Sequence, residues 1–251
     1  MRSTRNAVYR SIAEAAAQRY VPGGRFATRY ALGKLRHDPV YAAILAQGLV
    51  PDRARLVELG CGQGLLFALL AAAADAHRAA AWPAGWPPPP HPAAMLGFDV
   101  GARPIALARR ALGDRARFAQ ADLRALEVPA CDAIAIIDVL HYVDPAAQES
   151  TLARCAAALA GGGVLLLRVN DAGAGWRFGL TRITDQVAAA ARSGSWPTVH
   201  CRTLAEWTAL LARSGFAVRT QAASAGTPFA NALLVATPQS SAVLSSTHRR
   251  P

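Results

Sequence analysis

The chain has 251 residues, is 53% hydrophobic and has a mean hydropathy of +0.19. It is long enough to bury a full α/β core and suits one domain with additions. Its net charge of +11 is carried almost wholly by dispersed arginines, with Lys34 the one lysine. Such a surface can attract nucleic acid, a membrane surface or an acidic substrate, but the dispersion argues for a biased composition over a dedicated patch. No run approaches the ~20 apolar residues of a membrane span, and the N-terminus lacks the apolar block of a secretory signal. Cys61, Cys131, Cys155 and Cys201 form no CxxC pair or metal-like cluster, so they read as reduced thiols of a cytoplasmic protein with no metal site.

Residues 6–50 read as amphipathic helices, on the spacing of Ile12, Ala16 and Tyr20 and of Val40-Tyr41 and Ile44-Leu45, with a break at Pro22-Gly23-Gly24. Segment 1–50 is expected to be a helical lid or flank. From residue 55, short apolar runs alternate with helical stretches. Strands are expected at Arg55–Gly60, Ala94–Val100, Arg117–Asp122, Asp132–Asp138 and Val164–Asn170, and helices at Leu65–Arg78, Pro104–Leu112 and Gln148–Leu159. Continuous apolar strands alternating with helices imply a parallel sheet covered on both faces. Ala81–Pro92 is a proline-rich insertion expected to be extended. Residues 171–202, with Trp176, Arg177, Phe178, Arg182 and Trp196, read as an inserted substrate cap. Helix Leu204–Ser214 and strands Phe216–Gln221 and Ala232–Ala236 follow, closing a main domain over 51–237. The polar tail 238–251 is expected to be disordered.

The chemistry-bearing motif is Glu58-Leu59-Gly60-Cys61-Gly62-Gln63-Gly64, between a strand and a helix. Alternate glycines allow a tight turn and close approach of a ligand to the backbone. The spacing is G-x-G-x-G, not the G-x-G-x-x-G of dinucleotide folds, which disfavours a nicotinamide dehydrogenase. Glu58 would repel a pyrophosphate but suits an ammonium.

This loop resembles the first motif of the class I, Rossmann-like S-adenosylmethionine-dependent methyltransferases, and the resemblance runs in order over residues 50–170. It implies a doubly wound, mostly parallel seven-stranded sheet with the last strand antiparallel. It also implies a cofactor site of Glu58, Gly60, Cys61, Gly62, Gly64, Asp99, Val100, Asp122, Leu123 and Asp138. In that family an acid in the place of Asp99 bonds the ribose hydroxyls, and one in the place of Asp122 bonds the adenine amino group beside an apolar neighbour, here Leu123. Asp138-Val139-Leu140-His141 is similar to a segment bordering the methyl donor and acceptor, which makes His141 and Tyr142 the candidate catalytic bases. Each has a plainer reading: Asp99 as a strand-end residue, Asp122 and Asp138 as helix caps, His141 as a core group.

Arg168, Trp176, Arg177 and Arg182 are candidates to hold an acidic or aromatic acceptor, or else surface and packing residues. No Asn/Asp-Pro-Pro-Tyr/Phe segment and no Pro-Cys occurs, which disfavours methylation of exocyclic base nitrogens or cytosine carbon, and no appended RNA-binding module is visible, so nucleic acid is disfavoured as a partner. Tyr30–Val40 resembles a stretch of bacterial methyltransferases of polyketide- or fatty-acid-like pathways. That implies a small-molecule or acyl-carrier-bound substrate, with Lys34 and Arg36 near an acidic carrier or carboxylate. RNA or protein methylation, or a non-catalytic binding module, are the alternatives.

Overall fold

The computed structural model describes residues 2–193, 198–223 and 227–239. Three helices come first: α1 (Arg2–Gln18), α2 (Arg25–His37) and α3 (Pro39–Ala46). Asp38 starts α3 by accepting a hydrogen bond from the Val40 N–H, with Pro39 in the first turn where a missing N–H costs nothing. The α/β body follows as β1 (Arg55–Leu59), α4 (Leu65–Arg78), β2 (Ala94–Asp99), α5 (Ala102–Leu112), β3 (Arg117–Gln120), β4 (Cys131–Ile137), α6 (Pro145–Ala158) and β5 (Leu159–Asn170). It closes with α7 (Trp176–Ser193), α8 (Leu204–Arg213), β6 (Phe216–Ala222) and β7 (Asn231–Pro238).

The seven strands lie in the order β3-β2-β1-β4-β5-β7-β6. β1 pairs in parallel with both β2 and β4, so strand order reverses there, while β7 runs antiparallel between β5 and β6. This is the doubly wound, mostly parallel sheet with an antiparallel last strand. Loops at the carboxyl ends of β1, β2 and β4 therefore converge beside the switch point, where open α/β sheets bind ligands.

Several boundaries differ from expectation. α6 begins at Pro145, before Gln148, because the Asp144 carboxylate accepts from the Ala147 N–H and caps the helix there. β5 begins at Leu159, before the three glycines, because Leu159 pairs with Cys131 across a register shift. The segment expected to be a cap contains a long helix, α7. Trp196 and most of the expected disordered tail lie outside the described residues.

The sheet separates two cores. On one face α4 and α1–α3 enclose Phe67, Leu66, Ile12 and Tyr20; on the other Trp207 of α8 packs with Leu152, Leu165 and Leu234. The proline-rich insertion is folded onto the first of these layers. Trp82 donates its indole N–H to the Pro87 carbonyl at 3.0 Å and stands edge-on to Trp86, whose ring centroid lies 6.2 Å from that of Tyr9.

Phe67 is fully buried, with its ring centroid 5.7 Å from that of Phe118 under the sheet. Phe67→Ala should cost about 3–5 kcal/mol, seen as a lower urea midpoint with an unchanged slope.

Candidate active site

β1 ends at the glycine-rich loop. Gly60 (φ 71°) and Gly62 (φ 54°) hold left-handed backbone that other residues resist. A Cβ on Gly60 would drive into Val139, whereas one on Gly62 would meet nothing within 4 Å. The loop is thus pressed against the β4 side at one glycine and open at the next. From the helical flank, the buried Tyr20 hydroxyl donates to the Gln63 carbonyl at 2.8 Å and fixes the outer part of the turn.

Glu58 lies beneath this loop, 4% exposed, and its Oε2 has no hydrogen-bond partner among the described residues. Burial, and then the charge of Asp99, push its carboxyl well above the usual carboxylate range. Asp99 ends β2 and braces the site: Oδ2 accepts from the Gly62 N–H and Oδ1 from the Gly101 N–H, each at 2.8 Å. Val100 beside it stands exposed. Burial pushes the Cys61 thiol up, which leaves it a small apolar filler against Gly97.

Asp122 lies in a turn after β3. Its carboxylate accepts from both the backbone N–H and the guanidinium of Arg124, which hold it below its ordinary value. Leu123 is buried next to it. An adenine amino group would share Asp122 with Arg124.

Asp138 leaves β4 in the left-handed region, with φ 59°, a conformation that Asp tolerates better than most side chains. Its Oδ2 accepts from Lys34 Nζ at 2.9 Å and from an Arg168 N–H at 2.8 Å. The same two cations reach Asp38 Oδ2 at 2.8 and 2.6 Å. The four side chains form a closed, neutral square joining α2 and the start of α3 to the ends of β4 and β5. Burial acts to raise the Asp138 carboxyl, but Arg168 and Lys34 outweigh it and hold it well below the usual range. Arg36, by contrast, points away from the square and pairs with Glu14 at 3.6 Å.

A cavity of about 400 Å³ opens beside this square, lined among others by Tyr30, Lys34, Asp138, Arg168, Asn170 and Phe229. Of Arg168, Trp176, Arg177 and Arg182, Arg168 alone lines it, together with Lys34, and the Arg168 charge is already met by two carboxylates. Trp176 is 73% exposed and Arg182 is exposed; neither lines the cavity. Arg177 instead donates to the carbonyls of Thr227 and Phe229, tying α7 to the chain before β7. α7 reaches the cavity through Thr181 and Thr184.

His141 sits in the turn Leu140–Tyr142 after β4, 4% exposed, with its ring centroid 4.1 Å from that of Tyr142. Neither residue lines the cavity. The turn is held by a residue that sequence reasoning passed over. Gln148, fully buried on α6, donates to the carbonyls of Leu140, Val143 and His200 and accepts from Arg202. A glutamine inside a helix carries no local signal of that task. Asp38 was equally silent, since Asp-Pro reads as a helix start, which it also is.

These residues fit S-adenosylmethionine. Glu58 offers an enclosed, unmatched acceptor for an ammonium, the face at Gly62 is open to close approach, and Asp99 stands alongside.

Residues 57–165 match the model of a methyltransferase domain family. A comparison with curated proteins finds no match. Among solved structures, the chain is similar to magnesium protoporphyrin IX methyltransferase from Synechocystis PCC 6803 with bound S-adenosylhomocysteine, at 20% identity over 80% of each chain and a TM-score of 0.54. It is similar to an O-methyltransferase family protein from Burkholderia thailandensis, at 18% identity over 87% of this chain and 62% of that one, TM-score 0.58. It is also similar to human N-acetylserotonin methyltransferase in complex with S-adenosylmethionine, at 14% identity over 93% of this chain and 59% of that one, TM-score 0.56. Residues 57–165 thus match a methyltransferase domain, and the doubly wound seven-stranded sheet shares the fold of these methyltransferases.

Proposed function

We propose that the protein transfers a methyl group from S-adenosylmethionine to a small-molecule acceptor, free or carried on an acyl carrier. The observation that carries this reading is the enclosed, unpartnered Glu58 oxygen under an open glycine loop braced by Asp99. Similarity to enzymes named for a porphyrin and for N-acetylserotonin supports a small acceptor. The +11 charge keeps RNA or protein as the second reading.

In this reading Glu58 takes the ammonium, Asp99 the ribose hydroxyls, and Asp122 with Leu123 the adenine. S-adenosylmethionine held there would supply an electrophilic methyl on a sulfonium, open to in-line displacement by an acceptor lone pair with the neutral thioether leaving. The protein's task is alignment and exclusion of water. Asp138 is held ionised by Lys34 and Arg168, so it positions and does not take protons. A protonated acceptor would call on His141 or Tyr142 as base. α1–α3 serve as a flank over the acceptor side, fastened by the charge square.

Calorimetry with S-adenosylhomocysteine should show one site, weakened at least tenfold by Asp99→Ala. No binding by the folded protein would sink the assignment. Tritium from labelled cofactor should appear in small-molecule extracts; label confined to RNA or protein would favour the second reading.

Glu58 gives a pH signature. Its carboxyl titrates higher in the folded, cofactor-free protein than in the unfolded chain. Its contribution to stability is therefore complete below the ordinary carboxylate value and is lost as pH rises through the folded one. Glu58→Gln should flatten that loss in urea titrations across the acid-to-neutral range, and S-adenosylhomocysteine should offset it in the parent protein.

Arg168→Met should destabilise by about 3–5 kcal/mol, because Asp38 and Asp138 would keep only Lys34 between them. Thermal or urea unfolding measures this directly.

A further inference from the structure

Seven large hydrophobic side chains stand well exposed among the described residues, and six of them fall on two short segments. Val21, Phe26 (82% exposed) and Tyr30 lie at the start of α2 and in the turn before it; Trp176 (73%), Leu180 and Ile183 lie on α7. Both segments line the cavity, α2 through Arg29 and Tyr30 and α7 through Thr181. The apolar groups therefore lie on, or just before, the two helices that border it. On α2, Phe26 and Tyr30 are one turn apart; on α7, Trp176, Leu180 and Ile183 follow i, i+4, i+7 and make a stripe.

The exposed charges next to these groups in the sequence are arginines. Arg25 and Arg29 are exposed beside Phe26, Arg182 is exposed beside Ile183, and α2 contains no acidic residue at all. A soluble surface seldom leaves aromatic side chains so bare, and isolated ones need no explanation, but six on the two segments beside one cavity do. They project singly from two helices and are interleaved with arginine. That is the pattern of an interfacial surface, in which apolar tips enter the acyl boundary and guanidinium groups meet phosphate. No helix among the described residues is long and apolar enough to cross a membrane, so contact would be peripheral.

We propose that the cavity mouth docks on an anionic lipid surface, with Phe26 and Trp176 as the inserted anchors and Arg25, Arg29 and Arg182 facing the headgroups. The cavity then opens toward the lipid, and an amphiphilic acceptor enters it without crossing bulk water. Docking goes beyond the methyl-transfer reading and does not depend on it.

Sedimentation of the full chain with vesicles, in the absence of cofactor and acceptor, tests the proposal. The protein should pellet with phosphatidylcholine vesicles containing about one-third phosphatidylglycerol and stay in solution with phosphatidylcholine alone. Phe26→Ser and Trp176→Ser should each lower the partition constant by about tenfold. Their circular dichroism and thermal midpoint should stay unchanged, since both side chains are bare in the folded protein. Arg29→Gln with Arg182→Gln should weaken binding to the anionic vesicles. Failure to bind those vesicles would overturn the proposal, as would binding undiminished in the Phe26→Ser/Trp176→Ser variant. Attachment to a purified acidic carrier protein but not to vesicles would also overturn it.

Discussion

Lys34, Asp38, Asp138 and Arg168 sit where three parts of the chain must meet: the helical N-terminal segment, the end of β4 and the end of β5. Arg168 is nearly inaccessible, and a guanidinium in that position is tolerable only when its charge is met. Two carboxylates meet it, one from each side of the junction, and Lys34 restores neutrality. Such a square gives little net stability over a well-packed apolar core, but it permits few arrangements. It sets where α2 lies over the sheet, and hence where Tyr30 and Arg29 stand at the cavity.

The cofactor side follows a different logic. The parallel sheet brings the ends of β1 and β2 together, and Asp99 bonds the backbone on both sides of the gap. Glu58 remains enclosed without a full set of partners, a cost that a bound ammonium would remove. The two halves of the site therefore differ electrostatically. The square around Arg168 is neutralised within the protein, while the Glu58 carboxyl keeps an enclosed oxygen with no partner among the described residues.

The sequence discloses the cofactor half and the sheet far better than the acceptor half. Strand–loop–helix patterning around Glu58–Gly64 is local, so the glycine loop and the mostly parallel sheet could be anticipated, and two displaced boundaries trace to Asp144 capping α6 and to Leu159 pairing with Cys131. The acceptor side depends on pairings between distant residues. Arg168 and Asp38 are 130 positions apart, and nothing near either announces the other. An arginine at a strand end reads as free to hold an anion until its partners are known. Arg177 likewise reads as a binding residue but is used to fasten α7 to backbone carbonyls. Gln148, which gathers three carbonyls from separate segments, is visible only in the folded chain.

The central claim is that one site, built from the glycine loop, the end of β2 and the turn after β4, receives the cofactor. Hydrogen exchange read by mass spectrometry, with and without S-adenosylhomocysteine, tests it most directly. The account predicts slower exchange confined to residues near 58–64, 97–101 and 138–142 and to the turn after α1, where Tyr20 reaches the loop. Protection centred on other segments, or none at saturating ligand, would contradict it.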